Sequence, residues 1–131
     1  DYASSAYTPM AAMLLARTAA EAGQLDQAKA ELEFVLASDA ADEPMKQLAQ
    51  LRLARVAMAQ GDFAAAESAL AAVNSAEFLS LQSELSGDLA FAKGDLDAAR
   101  AAYGEAIESA DPQSRSLIQL KLDDIAAGDA S

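Results

Sequence analysis

Apolar residues recur at the same offsets from a glycine three times along the chain. Gly23 is followed by Leu25, Ala28, Leu32 and Val35. Gly61 is followed by Phe63, Ala66, Leu70 and Val73, and Gly94 by Leu96, Ala99, Tyr103 and Ala106. Offsets of two, five, nine and twelve advance by three or four, so each set lies on one stripe of a helix. A glycine before each stripe suits a tight turn, because it ends the preceding helix at low steric cost. The glycines lie 38 and 33 residues apart, the period of a helical-hairpin repeat. The pattern predicts an all-α array of three hairpins and no strands. Alanine at the fifth offset lets the paired helices approach closely.

Boundary residues place the elements. Thr8-Pro9 reads as an N-cap followed by proline in the first turn of a helix reaching about Ala22, with Met13, Leu14 and Ala16 towards its neighbours. Its partner runs from Leu25 to about Ser38. Asp42 and Pro44 open the next helix, which reaches Gln60, and Asp62 caps one ending near Val73. Ser75 caps a helix through Phe78, Leu81, Leu85, Leu89 and Lys93, and Gly94-Asp95 repeats the turn and cap. Asp111-Pro112 starts a seventh helix through Leu117, Ile118, Leu120, Leu122 and Ile125, which Gly128 ends. That helix has no partner, so it is expected to cap the open face of the last hairpin. The organisation is a lead over residues 1–7 and one domain over 8–128. Its repeats cover about 8–38, 44–73 and 76–109, with the capping helix at about 112–127.

Alanine makes up about a quarter of the residues and favours helix throughout. No stretch approaches the roughly 18 uninterrupted apolar residues of a spanning helix. A net charge of −12 argues against nucleic acid and against anionic lipid surfaces, both of which it would repel. The same acidity keeps an alanine-rich solenoid in solution. With no cysteine the redox compartment is not readable, and the opening Asp1-Tyr2 marks the chain as an expected piece of something longer.

Catalytic chemistry finds little support. Without His or Cys, neither a Ser-His-Asp nor a Cys-His arrangement can be built, and zinc loses its usual ligands. Glu31/Glu33 and Asp123/Asp124 are too close in sequence to share a helix face, so both pairs read as solvated surface. The turn glycines Gly23, Gly61 and Gly94 are each isolated, which leaves no glycine-rich phosphate loop. No catalytic residue, metal site or cofactor is expected.

The repeats resemble the tetratricopeptide repeat. In that family a small residue sits seven before the turn glycine, where the helices cross; here those positions hold Ala16, Ala54 and Gly87. The family's second-helix alanine corresponds to Ala28, Ala66 and Ala99, and its later large residue to Leu32, Leu70 and Tyr103. The usual early aromatic is replaced by Ala12, Gln50 and Ser83, which indicates a divergent subfamily. The resemblance implies a right-handed solenoid whose concave face is lined by the first helices. Carried onto this chain, that face includes Met10, Met13, Arg17, Leu51, Arg55, Met58, Leu81, Glu84 and Phe91 as a partner-binding groove. Met10 and Met13 equally suit a core role against a preceding segment. Methionine fits a surface that accepts varied partners, and Arg17 and Arg55, at equivalent positions, suit an acidic group.

A narrower resemblance, to the YfgM family, rests on four stretches. These are Leu51-Arg52-Leu53-Ala54-Arg55-Val56, Gly87 to Asp95, Ala99-Arg100, and Ile118-Gln119-Leu120-Lys121-Leu122. It implies the periplasmic part of a bacterial inner-membrane protein with a single N-terminal anchor that is absent from this chain. Such proteins are ancillary subunits of the SecYEG translocon, associated with the periplasmic chaperone PpiD. The implied partners are the translocon, that chaperone and possible unfolded polypeptide. The alternative is a tetratricopeptide scaffold of another envelope assembly, serving pilus or outer-membrane biogenesis.

Overall fold

The computed structural model describes residues 7–130, with side chains described through Gly128. Residues 1–6 of the polar lead and the terminal Ser131 lie outside the described residues. The order is α1 (Pro9–Glu21), α2 (Leu25–Ala37), α3 (Glu43–Ala59), α4 (Phe63–Ala71), a 3₁₀ turn (Ala76–Phe78), α5 (Leu79–Ala92), α6 (Leu96–Ser109) and α7 (Pro112–Ala130). There is no strand among the described residues. The chain divides into two compact units, one ending at Ala72 and the other starting at Val73.

Each hairpin turn is built the same way. Gly23, Gly61 and Gly94 adopt φ of 77°, 78° and 84°, the left-handed region that costs a glycine little. The amide of the residue after each glycine reaches back six residues' span: Gln24 N–H to the Ala19 carbonyl at 2.8 Å, Asp62 to Ala57 at 2.8 Å, Asp95 to Ala90 at 2.9 Å. This is the Schellman closure, and it satisfies carbonyls that a helix end leaves without partners. Asp62 and Asp95 then accept from Ala65 N–H and Ala98 N–H, both at 3.1 Å, and so cap the next helix. Gln24 makes no side-chain cap.

In the first unit α1 packs on α2, α2 on α3 and α3 on α4. The repeated stripe forms the core: Ala28, Leu32 and Val35 meet Ala12, Met13, Ala16 and Ala19 of α1, with Ala49 and Val56 of α3. In the second unit α5 packs on α6 and α6 on α7. Ala99, Tyr103 and Ala106 there meet Ile118 and Ile125 of α7. The seventh helix is therefore the expected cap.

Four expectations are corrected. Leu14 is 61% exposed rather than turned towards neighbours, because Ala12, Ala16 and Ala19 take the buried face of α1. Leu117 and Leu120 are 56% and 61% exposed; the buried face of α7 runs through Ile118 and Ile125, seven residues and two turns apart. Gly128 does not end α7, which continues to Ala130, since an isolated glycine weakens a helix by only about 1 kcal/mol. The helix expected to follow Ser75 begins instead as the 3₁₀ turn, with Ser75 Oγ accepting from Glu77 N–H at 3.3 Å.

Candidate functional site

The groove residues anticipated from sequence separate by burial. Met13 (7% exposed) and Leu51 (1%) belong to the core and present no surface to a partner, a correction to the expected set. Met10, Arg17 and Arg55 are exposed and Met58 is half-buried in the first unit, while Leu81 is half-buried and Phe91 exposed in the second. Glu84 is committed within the chain, as described below.

The first unit holds a cleft of about 510 Å³ between α1, α2 and α3, with Leu25, Leu32 and Val56 among its apolar lining. Its rim carries Arg17 from α1 and Arg52 and Arg55 from α3, so three of the chain's nine basic residues meet at one place. Arg17 and Arg55 were anticipated from their equivalent positions six before a turn glycine; Arg52 was not. The signal was present in its spacing of three from Arg55, which puts both guanidiniums on one side of α3. Burial lowers the Arg52 pKa, and the charges of Arg17 and Arg55 lower it further. All three nonetheless stay protonated, as arginine does in proteins. Arg17 Nε reaches Glu21 Oε1 at a loose 3.8 Å on the exposed side of α1. Among the described residues neither Arg52 nor Arg55 has a carboxylate partner.

The second unit carries a matching arrangement in which charges of both signs meet. Lys121 Nζ of α7 donates to Glu84 Oε2 at 2.7 Å and to both oxygens of Asp88 at 2.9 and 3.2 Å. Tyr103 donates its hydroxyl proton to Asp88 Oδ1 at 2.5 Å, and Lys121 Nζ stands 5.7 Å from the Tyr103 ring centre. Burial lowers the Lys121 pKa, but hydrogen bonds to Glu84 and Asp88 outweigh it and leave the ammonium above its ordinary value. Burial first, then the Asp88 hydrogen bond, pushes the Tyr103 hydroxyl up. The network was not anticipated, since it depends on α7 packing beside α5 rather than on local spacing.

The two places correspond residue by residue. Asp42 and Asp111 cap α3 and α7 alike, accepting from the amide three residues on at 3.0 and 2.8 Å. Counted from those caps, Ala49 matches Ile118 and Val56 matches Ile125, all four buried, so the register is shared. Arg52 then matches Lys121 and Arg55 matches Asp124. Six before the turn glycines, Arg17 matches Asp88. The second cleft, lined by Asp88, Phe91, Tyr103, Lys121 and Asp124, holds about 210 Å³. Where one place reads arginine, arginine, arginine, the other reads aspartate, lysine, aspartate.

No group of three His, Cys, Asp or Glu side chains among the described residues can hold a metal ion. No helix among them is long and apolar enough to cross a membrane.

Helical hairpins closed by left-handed glycines, crossing at Ala16, Ala54 and Gly87, define a helical-repeat protein. The chain belongs to the tetratricopeptide repeat-like domain family, whose model matches residues 1–127. It is similar to the ancillary SecYEG translocon subunit of Aggregatibacter actinomycetemcomitans, 34% identical over 112 residues, or 77% of this chain and 55% of that protein. The subunit of that name from Escherichia coli K12 is 29% identical over 120 residues, 91% of this chain and 58% of the relative. That of Neisseria gonorrhoeae is 33% identical over 127 residues, 95% and 60%. The chain thus spans between 55% and 60% of the length of these relatives. No solved structure gives a match.

Proposed function

We propose that this chain is the protein-binding part of an ancillary subunit of the Sec translocon, anchored in the inner membrane and exposed to the periplasm. In this reading it is non-catalytic and links the translocon to a periplasmic chaperone such as PpiD. The similarity to three translocon subunits supports the assembly, and the absence of His and Cys leaves common nucleophile-base chemistry without its residues. The observation that carries the binding role is the open cleft of α1, α2 and α3, apolar at its floor and arginine-rimmed on an acidic chain. Core packing alone requires no guanidinium there. Met10, Arg17, Arg55 and Met58 form the proposed partner surface of the first unit, and Leu81 and Phe91 that of the second. Apolar anchors supply most of the affinity and the arginines orient the partner.

The test is photocrosslinking of the full-length protein in its native membrane, with probes at Met10, Met58 and Phe91 and a control probe at the exposed Glu108. Adducts with translocon or chaperone subunits from the first three positions are expected. The variants Met58→Glu/Phe91→Glu and Arg17→Ala/Arg55→Ala should weaken co-purification of those partners by roughly ten-fold or more, the loss of one or two good contacts. Parental recovery by both folded variants would remove this surface from consideration.

A further inference from the structure

Each of the two matched clefts gathers charges at corresponding positions, but only in the second do opposite charges pair. In the second unit, Lys121 sits between Asp88 and Glu84 and closes the space beneath α7. In the first, Arg52 sits where Lys121 does, and faces Arg17 and Arg55 instead of carboxylates. The first cleft is the larger, about 510 against 210 Å³. We infer that the Arg17/Arg52/Arg55 cleft receives an acidic segment of a partner polypeptide, whose carboxylates pair with Arg52 and its neighbours as Glu84 and Asp88 pair with Lys121. This rests on the protein-binding reading of the same cleft and names the chemistry of its occupant.

The charge count specifies the segment further. Three guanidiniums and Glu21 leave the cleft with two uncompensated positive charges, so two carboxylates close in sequence neutralise it. A guanidinium offers a planar fork of donors to a carboxylate, which favours arginine over lysine for such capture. Leu25, Leu32 and Val56 at the floor suit small apolar residues flanking the acidic pair. Like charges held together without partners weaken a helix, so the arginine set is unfavourable until an anion arrives. Burial first, and then the charges of Arg17 and Arg55, lowers the Arg52 pKa. An acidic partner is otherwise a poor match for a chain of net charge −12, which confines its binding to this cleft.

The experiment uses the 131-residue chain and fluorescence anisotropy with a labelled, N-acetylated, C-amidated peptide carrying Glu-Ala-Glu between alanine and leucine residues. A Gln-Ala-Gln sister peptide is expected to bind at least about ten-fold more weakly, the scale of charge-assisted hydrogen bonds. Raising the salt to about 0.5 M should reduce binding several-fold through screening. Arg52→Gln/Arg55→Gln should lose about ten-fold in affinity, whereas Lys29→Gln, outside the cleft, leaves it unchanged. The melting temperature of the double variant should be unchanged or higher, since repulsion is removed; Arg17→Gln, on an exposed side chain, repeats the binding test if it falls. Equal binding of the two peptides overturns the inference, as does parental affinity in the variants. Capture of phosphatidylglycerol vesicles in place of the peptide also overturns it, in favour of a lipid occupant. Loss of peptide selectivity with crosslinks to the translocon intact removes the acidic occupant alone. Loss of the crosslinks with peptide binding intact removes the translocon reading alone.

Discussion

Deleting residues 112–131 is expected to abolish cooperative unfolding of the second unit and to make the chain associate. Ile118 and Ile125 are 0% and 2% exposed, and they cover Ala99, Tyr103 and Ala106 of α6. Losing a buried isoleucine costs on the order of 2–5 kcal/mol where the site cannot collapse, and here two are lost together. The uncovered face is contiguous and apolar, the kind of surface that finds a second molecule. Deletion also strips Lys121 from Glu84 and Asp88, two half-buried carboxylates. Thermal unfolding followed by circular dichroism, with sedimentation to read the mass, checks the outcome. A truncated chain that stayed monomeric and melted as sharply as the parent would show that α7 is dispensable. Lys121→Met, which keeps the helix and removes only the charge, should cost less, about 1–3 kcal/mol for the stranded carboxylates.

The second large effect lies at the third helix crossing. A Cβ on Gly87 would stand 2.5 Å from Tyr103 Cε1 and 2.6 Å from Cδ1, closer than carbon atoms tolerate. Gly87→Leu should therefore destabilise the second unit by at least about 1–3 kcal/mol, and Gly87→Ala by less, as the ring has to move in both. The other crossings show the cure. Ala16 faces a hairpin carrying Leu32, and Ala54 one carrying Leu70, so the larger Tyr103 goes with the smaller Gly87. Gly87→Ala combined with Tyr103→Leu should recover much of the stability lost by Gly87→Ala alone, less the share of the Asp88 hydrogen bond. Strictly additive effects in that double-mutant cycle would mean that the two residues do not share the crossing.

Much of this fold was legible because its signals are local. The offsets from each glycine fix which side of α2, α4 and α6 is buried, and Ala28, Ala66 and Ala99 are all fully buried. Turn glycines and capping residues are read within a few positions, and Thr8, Asp42, Asp62 and Asp95 each accept from the backbone as their spacing implies. What stayed hidden depends on which helix lies beside which. Leu117 and Leu120 look as apolar as Ile118, and only the direction from which α6 approaches decides that Ile118 is covered. Met13 and Leu51 were assigned to a surface by position in a repeat, yet both are buried. Arg52 and Lys121 were overlooked because their meaning lies in partners on other helices. That Arg17 and Arg55 answer to Asp88 and Asp124 emerges only when the turns and the caps of α3 and α7 are brought into register.

The turns have a further consequence for how the chain comes apart. At Asp62 and Asp95 one residue serves two helices: its amide closes the helix behind and its carboxylate starts the helix ahead. Fraying at either end disturbs the same residue, so α3 and α4 open as a pair, and α5 and α6 likewise. Gln24 performs only the first of these tasks, leaving the start of α2 held by its backbone and by Leu25 packed on the core. The first hairpin is thus the place where a helix end can loosen without its neighbour, and amide exchange should be faster at its turn than at the turns of Gly61 and Gly94.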